Sequence, residues 1–301
     1  MQDEIRHMER ELRNIILRTG GNDISFQGVM YHYTSSPIIP RILQTHDETI
    51  CLRFTDYRFL NDKSEGEEIM IQFCTVLRRL SELGEITSEF YDEAMRQKDN
   101  SASRPNTFYV MCFSDEKDSL PMWNYYLKDG KYQGYSLGFD FRFEEFFGEK
   151  AIYKRKVIYD DRAKQTLIGH LILEAATNES VSLSVAQRCE LLLGAVGDLA
   201  LVMKKSCFAH EHEVRLILDK ALVPPSGTDA FTCSEIRHVD TNGVFVPYCN
   251  VSWNDKSVLK EICYAPTMPK QTELGLSSLL STMGYDHQTI QITPSEIPVR
   301  Y

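Results

Sequence analysis

The sequence lacks any long apolar run. No stretch approaches the roughly 20 apolar residues of a membrane-spanning helix, and residues 1–6 are charged rather than arranged as a secretory signal. The hydrophobic fraction of 43% and the charged fraction of 25% are those of an ordinary globular protein. We therefore expect a soluble, cytoplasmic protein that has no membrane partner.

The eight cysteines lack the C-x-x-C spacing of zinc and redox sites. They stand singly, mostly within apolar stretches, so we interpret them as buried thiols. The glycine motifs of P-loop, Rossmann and α/β-hydrolase enzymes are also missing, as are the motifs of kinases. These absences argue against all four enzyme classes.

A basic surface of the kind that wraps duplex nucleic acid is missing too. The net charge is −10, and wrapping depends on many lysines and arginines that neutralise phosphates. A smaller basic cleft is still compatible with this charge. Residues 153–156, Tyr-Lys-Arg-Lys, combine the basic and aromatic side chains that can hold a single strand.

Apolar periodicity predicts an N-terminal helix within residues 1–22, which packs on the rest of the chain. Residues 23–301 are predicted to form one catalytic domain, since they contain no repeat and no long linker. Further helices are predicted from Ser64 and at 87–97, 122–127, 165–177, 184–205 and 272–283. Strands are predicted at 28–34, 49–54, 107–113, 134–140, 152–159, 212–218, 231–238, 243–247, 260–264 and 288–292. Without regular βαβ alternation, this pattern favours the α+β class.

The segment 209–218 is predicted to be a strand with two distinct faces. Glu211, Glu213 and Arg215 share one face, and the two carboxylates lie roughly 7 Å apart. Like-charge repulsion at that distance can raise one pKa, which suits acid-base work or stabilisation of transition-state charge. The alternative is a solvated strand face that carries an Arg-Glu pair.

Two histidines of the same segment, His210 and His212, also share a face and could ligate a metal together. The metalloprotease pattern H-E-x-x-H fails, however, because Val214 stands where the second histidine should be. No third ligand is evident from the sequence. We therefore predict no metal site.

Two further segments carry polar or aromatic side chains. His32 and Thr34 point to one side of the first strand, where a buried, hydrogen-bonded histidine is the alternative interpretation. Residues 112–115 lead into an aromatic turn and helix at 120–126. Trp123 and the tyrosines after it could form a stacking wall for a planar ring, or could be core and rim residues.

In these segments the chain resembles the bacterial family catalogued as domain of unknown function 2971. The resemblance covers nearly all of residues 28–301. Its motifs stand, in order, at 31–34, 59–65, 112–114 with 122–126, 211–216 and 261–266, followed by the terminal residues 295–301.

The same layout is similar to that of ADP-ribosyltransferases, which include bacterial toxins that modify DNA or RNA. In that superfamily a histidine or arginine of the first strand holds the NAD ribose, and an aromatic residue stacks on nicotinamide. A late glutamate stabilises the cation that forms as nicotinamide leaves. The resemblance implies an ADP-ribosyltransferase-like mixed sheet flanked by helices.

By this resemblance, Glu213 is the catalytic carboxylate and Glu211 handles the acceptor. The expected NAD contacts are His32 and Thr34, Arg53 or Arg58 at the phosphates, Ser114 or Ser136 in the middle motif, Trp123, and Tyr125 or Tyr135 at nicotinamide. A fixed carboxylate and planar aromatic walls suit an oxocarbenium-like transition state, which requires no metal.

We therefore expect an NAD-dependent ADP-ribosyltransferase, acting as a bacterial toxin or anti-phage defence effector on RNA, DNA or protein. A toxin implies an antitoxin partner that neutralises it. Two alternatives stay open. One is a regulatory nucleotide-binding domain without turnover, and the other is an enzyme that hydrolyses NAD or nucleic acid.

Overall fold

The structure is a computed structural model that describes residues 2–18, 28–43, 49–60, 65–98, 107–126, 133–141, 151–178, 180–224, 230–286 and 288–298. Within these residues, no helix combines the length and the apolar composition that crossing a membrane requires. Strands and helices are mixed along the chain, so the predicted α+β class is confirmed. The predicted boundary at residue 22 and the predicted helix start at Ser64 lie outside the described residues.

The chain divides into two compact units. The helical unit consists of Met1–Phe26, Leu60–Asn106 and Arg155–Ala209. The sheet unit consists of Gln27–Phe59, Thr107–Lys154 and His210–Tyr301. The single catalytic domain over 23–301 stays a prediction.

Most helices form where the sequence predicts them, but the short helix Ile39–Ile42 was not predicted and the predicted helix 184–205 ends early. In the described residues they are α1 (Gln2–Arg18), α2 (Ile39–Ile42), α3 (Glu65–Glu82), α4 (Ser88–Gln97), α5 (Leu120–Tyr126), α6 (Asp161–Thr177), α7 (Val185–Gly197) and α8 (Thr272–Thr282). Local capping sets two of the starts. The Thr87 hydroxyl accepts from the Phe90 amide at 3.2 Å before α4, and Ser184 forms a capping box with Gln187 before α7.

Five helices, α1, α3, α4, α6 and α7, build the helical unit and bury their apolar faces against one another. Met8, Leu12, Phe73, Leu171 and Leu192 are almost fully buried there. The predicted helix 184–205 is shorter than expected, since α7 ends at Gly197 and a 3₁₀ turn follows. The apolar pattern after Gly197 reflects burial, and not a continuation of the helix.

In the described residues of the chain, eleven strands join into one mixed sheet. They are β1 (Met30–Thr34), β2 (Ile50–Asp56), β3 (Phe108–Ser114), β4 (Tyr135–Phe139), β5 (Ile152–Lys156), β6 (Glu213–Asp219), β7 (Phe231–Cys233), β8 (Arg237–Thr241), β9 (Val244–Trp253), β10 (Leu259–Tyr264) and β11 (Gln291–Pro294). The main order is β11-β10-β4-β1-β3-β2-β9-β7, with β6 on β3, β5 on β6 and β8 on β9. Most pairs are antiparallel, and β10 with β11 is parallel.

The sheet branches at β3. Along one edge, β6 pairs with β3 over its whole length. Along the other edge, β1 meets β3 at the single pair Tyr31 and Ser114, whereas β2 pairs with the opposite end through Val110 and Tyr109. Because β1 holds β3 at one residue pair only, side chains can enter between these two strands.

Two strand predictions differ from the structure. The predicted strand 231–238 is two strands, β7 and β8, separated at Ser234, whose backbone N–H donates to Asn250 O at 2.9 Å. The backbone N–H of Asn250 in turn donates to the Ser234 hydroxyl at 3.0 Å. A side-chain bond thus replaces a ladder bond at this point. The predicted strand 243–247 continues as β9 to Trp253, because it pairs with β2 over its second half.

Candidate functional site

Three strands bring Tyr31, Ser114 and Glu213 into one line across the sheet. Tyr31 on β1 pairs with Ser114 on β3, and Ser114 pairs with Glu213 on β6. Directly paired residues of neighbouring strands point to the same face. The rival middle residue, Ser136, lies on β4 opposite Tyr33, outside this line.

A cleft of about 260 Å³, open solvent included, is lined by side chains from these strands and from α5. Its lining includes His32, Cys112, Met122, Glu211 and Glu213. The three segments that the sequence singles out therefore meet at one place. The roles assigned to their residues stay predictions.

Glu213 is held by a buried arginine two residues further along β6. The guanidinium of Arg215 donates from Nε to Oε1 of Glu213 at 2.7 Å and from Nη2 to Oε2 at 3.1 Å. Both residues are buried, with 4% of Glu213 and 1% of Arg215 exposed. The expected Arg-Glu pair is therefore present, but the alternative of a solvated strand face is wrong, because β6 is buried along its whole length.

The strand predicted over 209–218 begins later than expected. Residues Ser206–Glu211 form a 3₁₀ helix, and His212 has φ of 47°, a left-handed conformation that cannot continue a strand. Glu211 therefore does not share a strand face with Glu213, although both line the cleft. Ser114 and Asp115 hold this bend: the Ser114 hydroxyl donates to Glu211 O at 2.8 Å, and the Asp115 amide donates to His212 O at 2.9 Å.

His32 occupies the gap between β1 and β3. Its Nδ1 lies 3.4 Å from Cys112 O, and its ring meets the Phe113 ring edge-on at 6.0 Å. Burial lowers the pKa of His32 to about 4, an effect that the hydrogen bond to Cys112 O only partly offsets. The imidazole is therefore neutral at pH 7. Because a carbonyl oxygen can only accept, Nδ1 carries the proton and Nε2 is left as an acceptor.

Thr34 and Tyr135 lie away from the cleft. They face each other across β1 and β4, and both are buried. Burial raises the pKa of the Tyr135 hydroxyl. Neither residue belongs to the lining of the described cleft, so neither would contact a ligand that is held there.

The aromatic helix α5 divides into a buried and an exposed part. Trp123 is fully buried against Tyr33, with ring centroids 4.7 Å apart, and its Nε1 donates to Asp118 Oδ1 at 2.6 Å. Trp123 is therefore a core residue, and neither face of its ring is open to a ligand. Tyr125 is 55% exposed and stacks on His210 at 5.4 Å, outside the cleft lining. The side chain of Tyr126 lies outside the described residues.

The two candidate phosphate contacts, Arg53 and Arg58, lie elsewhere in the sheet unit. Arg53 is exposed on β2, and its guanidinium stacks over the Tyr248 ring at 4.4 Å. Arg58 forms a two-point bond to the buried Asp56, at 3.1 Å from Nε and 2.7 Å from Nη2. Neither lines the described cleft. Their predicted contact with NAD phosphates stays a prediction.

Sequence reasoning missed a bonded group beside the cleft that joins β1 to β10. The Tyr31 hydroxyl donates to Glu261 Oε1 at 2.6 Å, and Lys117 Nζ donates to Glu261 Oε2 at 2.8 Å. Burial, followed by the bond to Glu261, raises the pKa of Tyr31. Gly138 leaves room for this contact, since a Cβ there would lie 2.7 Å from Glu261 Cγ. The motif at 261–266 was the available signal.

The paired histidine ligands considered from the sequence are separated in the structure. His210 stacks on Tyr125, whereas His212 Nδ1 lies 3.3 Å from Asp115 Oδ1. Among the described residues, Asp115, Glu116 and His212 are a group whose ligand atoms lie within 4.8 Å of one another and so could hold a metal ion. His212 and Glu116 are exposed. The 3.3 Å between His212 Nδ1 and Asp115 Oδ1 is also the distance of an ordinary contact between a histidine and a carboxylate at a protein surface.

Comparison with known proteins gives one match. Residues 122–216 match the family described as "Protein of unknown function (DUF2971)". The matched segment contains α5, Glu211 and Glu213 but not His32. It supports the family resemblance stated from the sequence. No curated protein and no solved structure matches the chain.

Proposed function

We propose that the chain transfers ADP-ribose from NAD to an acceptor, using the cleft between β1, β3 and β6. One observation carries the proposal. Glu213, which is buried, and His32 both line one cleft, and Ser114 lies in line between Glu213 and Tyr31, the neighbour of His32 on β1. The order along the chain, His32 first, then Ser114 and then Glu213, is the order of histidine, middle serine and late glutamate that the resemblance implies, and it supports the proposal.

The chemistry assigned to Glu213 follows from its burial and its fixed position. As the bond between ribose and nicotinamide breaks, positive charge develops on the ribose. A carboxylate that is already oriented and shielded from water stabilises such a charge without reorganising. Arg215 supplies that orientation through its two bonds to Glu213. The acceptor then attacks the ribose carbon that nicotinamide has left.

His32 suits a binding role rather than a proton-transfer role. With its pKa lowered to about 4, it cannot act as a proton donor near pH 7. Its Nε2 can accept a hydrogen bond from a ribose hydroxyl while Nδ1 is held by Cys112 O. We therefore assign His32 to holding the ribose.

The lining of the cleft suggests which end of NAD it would take. Phe113 and Tyr31 supply aromatic surface for a planar ring, and we therefore assign the nicotinamide end of NAD to this cleft. The adenosine half would lie outside the described cleft.

Glu211 is the residue that we assign to the acceptor. It lines the cleft with Glu213 but belongs to the 3₁₀ turn before β6, so it approaches the cleft from a different direction. RNA, DNA and protein stay the candidate acceptors. A role as a toxin or defence effector remains part of the proposal, and it predicts that expression of the chain slows growth of the host cell.

A nucleotide-binding domain without turnover is the second candidate. One observation favours it: both oxygens of Glu213 already accept from Arg215. A carboxylate engaged in this way is less able to stabilise a new positive charge than an unpaired one. Such a domain would bind NAD without releasing nicotinamide.

The test is incubation of the purified chain with NAD labelled in the adenylate half, alone and with cell extract. Transfer predicts label in the RNA, DNA or protein fraction, together with free nicotinamide. Nicotinamide without labelled macromolecule indicates hydrolysis, and saturable binding without nicotinamide indicates the second candidate. Glu213→Gln should abolish product, while the exposed Glu85→Gln serves as the matched control. The proposal fails if Glu213→Gln, shown to be folded, leaves product formation unchanged.

A further inference from the structure

Cys233 and Cys249 lie next to each other on neighbouring strands. Cys233 on β7 pairs with Val251 on β9, so Cys249, two residues before Val251, is its diagonal neighbour on the same face. The thiol of Cys233 donates to Ser234 O at 3.5 Å, and the two thiols are close enough for each to shift the pKa of the other. The sequence, in which these cysteines stand 16 residues apart, gives no C-x-x-C signal for this contact.

The two thiols differ in their access to solvent. Cys233 is partly exposed, whereas Cys249 is fully buried behind it. The prediction that the cysteines are buried thiols is wrong for Cys207, which is exposed, and it does not hold fully for Cys74, Cys112 and Cys233, which are partly exposed. An accessible thiol with a second thiol directly behind it is the arrangement found in cysteines that sense oxidants.

The surroundings of Cys233 favour its thiolate. The neighbouring Cys249 thiol is the largest influence, and the ammonium of Lys220 adds to it, so the pKa of Cys233 is lowered. Burial and the nearby Glu235 oppose this effect in part. The thiol of Cys249 responds in the opposite direction, since the thiolate beside it raises its pKa. Burial also raises the pKa of the Cys263 thiol, which lies in the same unit.

We propose that Cys233 and Cys249 form a peroxide-reactive thiol pair, in which Cys233 is oxidised first and Cys249 resolves it to a disulfide. The Cys233 thiolate attacks one oxygen of hydrogen peroxide, the O–O bond breaks, and the departing hydroxide takes a proton to become water. Cys233 is then a sulfenic acid. The Cys249 sulfur loses its proton and attacks the Cys233 sulfur, the S–O bond breaks, and a second water leaves. Two thiols are oxidised to one disulfide, and one peroxide is reduced to two waters.

The position of Cys233 at the sheet edge allows the bond to close. Diagonal neighbours have Cα atoms roughly 7–8 Å apart, slightly beyond the roughly 4.4–6.8 Å of disulfides. The strands must therefore approach by about 1 Å. β7 is three residues long and, among the described strands, pairs with β9 alone. A short edge strand of this kind can make the shift without disturbing strands on its other side.

The test treats the purified full chain with a small excess of hydrogen peroxide under native conditions. Peptide mapping without reductant should find Cys233 joined to Cys249, with the mass of the chain lowered by two hydrogen atoms. In Cys249→Ser the sulfenic acid on Cys233 should persist and react with dimedone. The exposed Cys207 is the internal control, because it is more accessible than Cys233 and should nevertheless be modified more slowly.

A second measurement does not depend on the cysteine variants folding. The pH dependence of iodoacetamide alkylation at Cys233 should have its midpoint below the ~8.5 of an ordinary thiol. Lys220→Met should raise that midpoint, whereas the exposed Lys270→Met should leave it unchanged. The proposal is overturned if Cys207 is oxidised faster than Cys233, or if peroxide yields no bond between Cys233 and Cys249 while the chain remains folded.

Discussion

Replacing Glu213 by glutamine should destabilise the sheet unit as well as remove the proposed catalytic charge. Arg215 is 1% exposed and makes a two-point bond to the carboxylate. Glutamine keeps the shape of the side chain but removes the negative charge to which the buried guanidinium makes these two bonds. Losing one member of a buried ion pair typically costs about 3–5 kcal/mol. That is a large part of the roughly 5–15 kcal/mol by which a domain is stable.

A double variant separates the ion pair from the rest of the site. Arg215→Met alone should cost a similar amount, because it removes the two bonds that the guanidinium gives the buried Glu213 carboxylate. Combining Glu213→Gln with Arg215→Met removes both charges, and replacing a buried pair by uncharged side chains is often close to neutral. We therefore expect the double variant to be more stable than the sum of the two single losses predicts, by about 2 kcal/mol or more.

Hydrogen exchange of peptides that cover β6 measures this effect within the sheet unit alone. A loss of about 3–5 kcal/mol should lower amide protection by roughly a hundredfold to several thousandfold, at about 1.4 kcal/mol for each tenfold change. The exposed Glu85→Gln should leave protection unchanged. Additive losses in the double variant would refute the claim that Glu213 and Arg215 stabilise each other. A double variant that is stable but makes no product would show that the activity needs the carboxylate itself.

Three further predictions test the packing around the cleft. Because the folded chain holds His32 at a pKa of about 4 against about 6.5 when unfolded, stability should fall as pH drops from 6.5 to 4, by up to about 3 kcal/mol, and His32→Gln should flatten this slope in urea titrations. An unchanged slope would contradict the lowered pKa. Gly138→Ala should cost about 1–3 kcal/mol, since its Cβ would lie 2.7 Å from Glu261 Cγ, and a smaller loss would show that Glu261 can move aside. Trp123→Phe should cost about 2 kcal/mol in urea titrations through loss of the 2.6 Å bond to Asp118, and an unchanged midpoint would contradict that bond.

Local patterns predicted the elements that position the site. The apolar runs of β3 and β6 are short-range signals, and the structure has these strands within a few residues of their predicted ends. The exception is the start of β6. The alternation His-Glu-His-Glu-Val-Arg is typical of a strand, but the left-handed backbone of His212 starts the strand at Glu213. That conformation is fixed by bonds from Ser114 and Asp115, which are distant in sequence.

Burial and long-range bonding could not be predicted in the same way. The pattern Glu-x-Arg on a strand is the same whether the face is solvated or covered, so the sequence did not distinguish the buried Glu213 and Arg215 pair from a surface pair. The bond between Tyr31 and Glu261 joins residues 230 positions apart. The contact between Cys233 and Cys249 depends on the register of β7 against β9. No local signal encodes either relation.

Asp118 accepts hydrogen bonds from two parts of the chain that are made at different times. Its carboxylate accepts from Trp123 Nε1 at 2.6 Å, and also from Ser295 Oγ at 2.7 Å and the Glu296 amide at 2.8 Å. A nascent chain that ends before residue 295 therefore has α5 but lacks two of the donors that hold Asp118 against it. The carboxylate of Asp118, and with it the setting of the Trp123 ring, therefore gains its full set of bonds only after residue 296 has been made.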